Sequence, residues 1–169
     1  GTLIGGDFRL EALIARGGMG SIYRAVQLST DRPRAIKLLH PMLVEDELAR
    51  ERFFREARVG AHIPSDHVVE VISSGVDGGT PWLAMELLEG EDLAARLRRG
   101  PLAAGEAHRV FAQLGDALGA AHSVGVVHRD LKPENVFLAR VRRSDEPVVK
   151  VLDFGIARLL AESPTATAP

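Results

Sequence analysis

The eight positions His128-Arg129-Asp130-Leu131-Lys132-Pro133-Glu134-Asn135 hold five ionisable side chains and one amide, directly after the apolar pair Val126-Val127. A carboxylate at Asp130 can accept a hydroxyl proton, and Lys132 can neutralise an anion in transfer. The amide oxygen of Asn135 is a hard ligand of the kind Mg²⁺ takes. A solvated loop built around an Asx turn has the same composition, so both readings stand at this point. Asp153 ends the run Val148-Val149-Lys150-Val151-Leu152. A carboxylate at a strand end, followed by Phe154 and the permissive Gly155, suits a metal ligand on a movable hinge. An ordinary strand-terminating Asp looks the same.

Two more segments carry candidates. Arg16-Gly17-Gly18-Met19-Gly20 lies between two alternating segments, and a glycine turn there frees backbone N–H groups to approach a phosphate closely. With 17 glycines in the chain, an ordinary hairpin turn accounts for this segment taken alone. The basic residues are almost all arginine, and the only lysines are Lys37, Lys132 and Lys150. Lys37 projects from an otherwise apolar strand, where a compact ammonium can hold phosphate oxygens as a point charge or snorkel past the sheet edge. Glu56, nineteen residues on, can supply the partner that holds Lys37, or pair with Arg52 on its own helix. Glu51 is a weaker candidate for the same role.

These residues need elements to aim them. Period-2 alternation predicts strands over residues 8–14, 21–26 and 35–39, the first two forming a hairpin about the glycine turn. Residues 45–61 read as one helix, with Leu48, Phe53 or Phe54, and Ala57 on its apolar face. Strands are expected over 68–72 and 82–88, separated by a turn at residues 73–79. Beyond a boundary near Leu88 the pattern becomes helical, short over 92–99 and long over 104–124. The long helix has an apolar stripe of Ala107, Val110, Phe111, Leu114, Leu118 and Ala121. Two further strands, 136–138 and 148–152, flank a polar turn at residues 142–147.

The chain has 169 residues, with 21 Lys and Arg against 23 Asp and Glu, a net charge of −2 that excludes a basic nucleic-acid stripe read from charge alone. At 46% hydrophobic and 26% charged it has the composition of a globular protein with a real core. The absence of Cys removes disulfides, thiolate catalysis and Cys-ligated zinc. No apolar run approaches the roughly 20 residues of a membrane-spanning helix, and no signal pattern opens the chain. These features point to an intracellular, cytoplasmic chain. No period of 20 to 50 residues recurs.

The order of the parts, glycine turn, lysine, helix glutamate, Asp/Lys/Asn loop and strand-end Asp, resembles the protein kinase family, and specifically the bacterial type of Ser/Thr kinase. The resemblance runs from Phe8 to about Leu160. It implies an α+β, two-lobed kinase fold, with a complete N-lobe of antiparallel sheet plus one helix over 1–88, including the hinge. A partial, mainly helical C-lobe follows over 89–169. It further implies transfer of the γ-phosphoryl of Mg-ATP to a protein Ser or Thr hydroxyl. Ile14, Ala15, Arg16, Gly17, Gly18, Met19 and Gly20, with Ile22, would form the loop over ATP. Lys37 would hold the α- and β-phosphates with Glu56 as its ion-pair partner. Met85-Glu86-Leu87-Leu88 would be the hinge, with backbone groups of Glu86 and Leu88 on adenine and Met85 at the back of the pocket. Asp92 would reach the ribose, and Ile22, Ala35 and Phe137 would sandwich the base. Asp130 would be the catalytic base, Lys132 the γ-phosphate contact, and Asn135 and Asp153 the two Mg²⁺ ligands. Thr165 and Thr167 fall in what resembles the activation loop, as autophosphorylation sites that Arg129 would grip once phosphorylated.

Several departures from the pattern stand out. Ala15 replaces the first loop glycine, and Arg34, expected to face solvent, replaces the valine before Ala-Ile-Lys. Asn135 and Asp153 are eighteen positions apart, a lengthening expected in the turn at residues 140–147. Gly60, one turn after Glu56, leaves a small spot on its helix. Finally, the chain stops fourteen residues after Gly155, short of the Ala-Pro-Glu motif and the substrate groove. The expectation is therefore a fragment that folds its N-lobe, binds nucleotide weakly and phosphorylates little unaided. The long helix would then expose part of its stripe. A nucleotide-binding pseudokinase and a small-molecule phosphotransferase are the alternatives. Intact Lys37, Asp130, Asn135 and Asp153 argue against the first, and the full loop from His128 to Asn135 argues against the second.

Overall fold

The computed structural model describes residues 1–141 and 144–154. Gly155, Thr165, Thr167 and the turn residues Arg142 and Arg143 lie outside the described residues.

Six antiparallel strands form the first sheet: β1 (Leu3–Ile4), β2 (Phe8–Arg16), β3 (Gly20–Gln27), β4 (Arg32–Leu39), β5 (Val71–Asp77) and β6 (Thr80–Glu86), in the order β1-β2-β3-β4-β6-β5. One helix, α1 (Glu47–His62), connects β4 to β5. The strand period of two divides the central strands between two cores. Ile36 of β4 with Trp82 and Ala84 of β6 face a cluster completed by Ile4, Phe8 and Ala25. Leu39 and Leu83 face the other way, onto Phe53 and Ala57 of α1. Lys37 shares the parity of Leu39, so the same alternation that builds the core turns it toward the helix. Gly20 sits where an added Cβ would collide with the Leu38 carbonyl oxygen, so the β3–β4 approach tolerates no side chain there.

α1 begins at Asp46, whose side chain accepts from Ala49 N at 3.1 Å, and carries Glu47 in its first turn and His62 in its last, as the helix dipole favours. Its buried face is Ala49, Phe53, Glu56, Ala57 and Val59. Leu48, expected on that face, is 64% exposed, because the stripe starts one position later. The helix spans residues 47–62 rather than 45–61.

The second part holds β7 (Gly90–Asp92), α2 (Leu93–Leu97), α3 (Ala104–Ser123), β8 (Val136–Val141) and β9 (Ser144–Val151), with the three strands in one sheet in that order. α3 buries Val110, Leu114, Ala117 and Ala121 against Val136, Leu138, Val149 and Val151. Phe111 lies off this face, 66% exposed, while Ala117, outside the expected stripe, is fully buried on it. Val59, Ile63 and Val68 belong to this second core, so the end of α1 and the segment after it are packed into the helical part of the molecule.

Several boundaries moved. Strands β2, β3 and β4 extend past the expected 8–14, 21–26 and 35–39, because register pairing carries them through positions whose side chains do not alternate. Residues 73–77, expected in a turn, continue β5, since Ser73 to Asp77 pair with Ala84 to Thr80 and leave only Gly78 and Gly79 to reverse the chain at positive φ. Val68 and Val69 are not in β5; Val68 bridges Val151. Leu87 and Leu88 fall beyond β6. Asp92 caps α2 instead of lying within it. The extra length between Asn135 and Asp153 is taken up by longer strands rather than a long turn, with Val141 paired to Ser144. The two-residue β1 and three-residue β7 are too short for any pattern to show.

Candidate functional site

α1 brings a carboxylate to a position where its buried stripe would otherwise carry an apolar residue. Glu56 Oε1 lies 2.7 Å from Lys37 Nζ, the two side chains being 10% and 9% exposed. Lys37 Nζ also lies 3.0 Å from Asp153 Oδ1. Glu51 and Arg52 take no part in this pairing, which settles the alternatives for Glu56. Burial works against the Lys37 ammonium, but the carboxylates of Glu56 and Asp153 outweigh it and raise its pKa. Burial pushes the Glu56 carboxyl up to about 7, against the pull of Lys37. Burial would also raise Asp153, yet the Lys37 charge and hydrogen bonds from Glu56 and Lys37 hold it below the ordinary range.

Asp153 is placed by the backbone on either side of Leu152. His128 Nε2 lies 2.8 Å from the Leu152 carbonyl, and Leu152 N donates to Asn135 O at 2.9 Å. Asp130 N donates to His128 Nδ1 at 3.3 Å, so the hydrogen-bond pattern assigns the ring proton to Nε2. His128 is 2% exposed and stacks edge-on against Phe154, with ring centroids 4.7 Å apart. Sequence reasoning gave His128 no role of its own. Its place directly after an apolar strand-like pair is the signal that it turns inward. Arg129 and Asp153 adopt positive φ of 62° and 54°. For Arg129, which lacks the local hydrogen bonding that makes this region tolerable for Asp or Asn, that is an uncommon conformation.

The loop between them is more open. Asn135 Nδ2 donates to the Asp130 carbonyl at 2.8 Å and to its Oδ2 at 3.3 Å, and Lys132 Nζ lies 3.0 Å from the same Oδ2. The hydrogen bond from Lys132, with that from Asn135, holds the Asp130 carboxyl below its ordinary value, and Asp130 in turn raises Lys132. Asn135 is buried at 6% exposure. With its Nδ2 committed to Asp130, the amide oxygen is the end left to act as an acceptor. That oxygen and the Asp153 carboxylate are hard donors of the class Mg²⁺ takes. Among the described residues there is no cluster of three or more His, Asp or Glu that would hold a metal by itself.

Gly17, Gly18, Met19, Gly20, Ile22, Lys37, Glu56, Asp130 and Asp153 line one cleft of about 260 Å³. Four larger clefts, of about 520, 510, 420 and 360 Å³, lie away from these side chains. The glycine turn is closed by Gly17 N on Gly20 O at 2.9 Å and fixed from outside by His40 N on Met19 O at 2.9 Å. Ile14, Ala15 and Arg16 belong to β2 and are exposed, outside the cleft lining. Ala35 and Met85 are partners across β4 and β6, on the parity of Lys37. Asp92 and Phe137 are partners across β7 and β8. Asp92 Oδ1 accepts from Ala95 N at 2.6 Å as a helix cap. Glu86 N donates to Glu70 O at 3.0 Å, so its amide is already used. Arg34, expected in solvent, is half-buried and donates to Gln27 Oε1 at 3.1 Å. Gly60 faces Val71, whose Cγ2 would meet an added Cβ at 3.1 Å.

Residues 8–168 match the family model for the protein kinase domain. The chain is 42% identical over 161 residues to the Ser/Thr protein kinase pkn3 of Myxococcus xanthus, covering 94% of this chain and 29% of that protein. It is 44% identical over 154 residues to Pkn1 of the same organism, covering 91% and 22%, and 42% identical over 153 residues to PknE of Mycobacterium tuberculosis, covering 90% and 26%. The chain therefore spans under a third of the length of these relatives. Among solved structures, a double mutant of the Mycobacterium tuberculosis PknI kinase domain superposes with a TM-score of 0.75 at 28% identity, covering 90% of this chain and 60% of that one. No described helix is long and apolar enough to cross a membrane. Family model, named bacterial Ser/Thr kinases and shared architecture agree with the clustered Lys37, Glu56 and Asp153, and the chain belongs to the protein kinase family.

Proposed function

We propose that this chain carries the catalytic region of a Ser/Thr protein kinase, divided into an N-lobe with hinge over 1–88 and a partial C-lobe over 89–169, which transfers the γ-phosphoryl of ATP to protein Ser or Thr hydroxyls. The observation that carries this reading is the buried ammonium of Lys37, held between Glu56 and Asp153 at the floor of a cleft roofed by a glycine turn.

In this reading the turn from Gly17 to Gly20 closes over the phosphates, and Lys37 meets the α- and β-phosphate oxygens as a point charge. Asn135 and Asp153 would hold Mg²⁺, which would supply neutralisation of the negative charge that develops on transfer. Ala35, Ile22 and Phe137 enclose the base, and Met85 backs the pocket. With the Glu86 amide committed to Glu70, the base contacts fall to the Glu86 carbonyl and the Leu88 backbone. Asp92 keeps one carboxylate oxygen for the ribose beside its cap. Asp130 orients the acceptor hydroxyl and accepts its proton as the oxygen attacks phosphorus and the bond to the leaving diphosphate breaks. Lys132 balances charge on the moving group. Arg129, exposed beside Asp130, is the cation that would meet a phosphate on Thr165 or Thr167 after autophosphorylation. A cytoplasmic setting with Mg-ATP fits this chemistry.

The test is phosphate incorporation from labelled Mg-ATP into a generic acceptor protein, beside an Asp130→Asn copy. Incorporation that disappears in the variant supports the assignment, and phosphopeptide mapping then tests Thr165 and Thr167. Equal incorporation by both removes Asp130 from the mechanism. Transfer to an aminoglycoside but not to protein replaces the reading with a small-molecule phosphotransferase, and nucleotide binding without transfer replaces it with a pseudokinase.

A further inference from the structure

Of the three lysines, Lys150 is the one that phosphoryl transfer does not use. It lies on β9, three residues before Asp153, and its Nζ is 2.6 Å from Glu86 Oε1 at the end of β6, with side chains 16% and 22% exposed. The same Oε1 accepts from Glu70 N at 2.8 Å, and Glu86 N donates to Glu70 O at 3.0 Å. Glu86 and Glu70 thus form a closed ring of backbone and side-chain bonds with the Lys150 ammonium set on its carboxylate.

Glu70 itself ends a segment stitched to β9. Val69 N donates to Val151 O at 3.1 Å, Val151 N to His67 O at 2.8 Å, and His67 Nδ1 lies 3.1 Å from Val149 O. Three pieces of chain from different places in the sequence therefore meet at one cation: the last residue of β6, the connection from α1 to β5, and β9. From this junction the chain leads one way through Leu87 to Leu88, a proposed base contact, and the other way to Asp153 at the phosphate end of the cleft. A partly buried carboxylate that loses its cation is left desolvated, so the pair resists separation more than a surface pair does.

We propose that Lys150 is a positioning residue for nucleotide binding: by holding Glu86 against β9 it sets the base end of the cleft relative to Asp153 before the nucleotide arrives. The proposal rests on the nucleotide-binding reading above. Its physical content is preorganisation, since a connection already held in its bound place loses less freedom on binding.

The experiment measures adenosine and Mg-ATP binding to the chain by calorimetry, for the parent, Lys150→Met, Lys150→Arg, Glu86→Gln and the Lys150→Met/Glu86→Gln double variant. Adenosine lacks phosphates, so it reads the base end alone. Lys150→Met is expected to weaken both ligands by about fivefold, Lys150→Arg to recover most of that loss, and the double variant to be no weaker than the worse single one. Amide exchange over residues 86–90 should quicken in Lys150→Met. Glu86→Gln keeps size and backbone, so it answers the question if Lys150→Met folds poorly. Parent-like adenosine affinity in both Lys150→Met and Glu86→Gln overturns the proposal, as do losses that multiply in the double variant. If the parent chain binds neither ligand, the nucleotide reading and this proposal fall together, whereas parent binding with unaffected variants removes the proposal alone.

Discussion

Lys37 and Lys132 each hold an aspartate at 3.0 Å, yet the first is 9% exposed and the second 48%. Lys37 is enclosed by β4, α1 and the end of β9, where a charge without a partner would be strongly disfavoured. Its pairing with Glu56 and Asp153 is therefore part of what holds the folded state together. Lys132 and Asp130 lie in water, where screening weakens their attraction and either can exchange its partner. The same contact thus serves two ends: near Lys37 it fixes a geometry in advance, and near Asp130 it keeps a proton acceptor ionised but free to turn to a hydroxyl.

The contrast breaks most sharply at Asp130. Replacing it with Asn should lower phosphoryl transfer by about 10²- to 10⁴-fold while leaving the thermal midpoint where it was; a clear drop in that midpoint would show the open loop to be structural after all. Lys37→Met should do both kinds of damage, abolishing transfer and destabilising the fold by about 3 kcal/mol near neutral pH, measured by urea unfolding. That cost should grow above pH 7, where Glu56 is ionised in the parent and loses its cation in the variant.

A subtler effect follows from the Glu56 carboxyl, which sits at about 7 in the folded chain against an ordinary 4.5. Between those values the folded state binds a proton that the unfolded state has released, so this group's contribution to stability is full below about pH 4.5 and is lost as pH rises through 7. Glu56→Gln should flatten that part of the stability profile. Parallel urea midpoints for parent and variant at about pH 5, 6 and 7 would contradict it. Asp130 should show the opposite, weaker dependence, its contribution being lost as pH falls below the ordinary 3.8. The smallest effect is expected at Gly60. Ala there gains up to about 1 kcal/mol of helix propensity, offset by contact with the movable Val71 Cγ2 at 3.1 Å, so a slight rise in stability is predicted. A fall would mean that α1 cannot shift without disturbing Lys37.

Residue types and their order were legible without coordinates. The alternation around Lys37, the unbroken pattern of α1, and the crowded polar loop from His128 to Asn135 are local facts, and they were enough to choose Glu56 as a candidate over Glu51. Local pattern failed where long-range pairing decides. Ser73 to Asp77 are polar and turn-like, yet the β6 backbone holds them in a strand. Phe111 and Leu48 are apolar, yet among the described residues they stand exposed. The lengthened stretch before Asp153 became strand because Val141 found Ser144.

By itself, then, the sequence determined which side chains could do chemistry and which short-range periods would carry them, because propensity and alternation depend only on near neighbours. Tertiary structure alone decided that Lys37 meets Glu56 and Asp153, 19 and 116 positions away, that His128 and Asn135 hold the backbone of Leu152, and that Lys150 reaches Glu86 across 64. Such contacts depend on how whole elements close on one another, and the cost of an unpaired buried charge is felt only once they have closed.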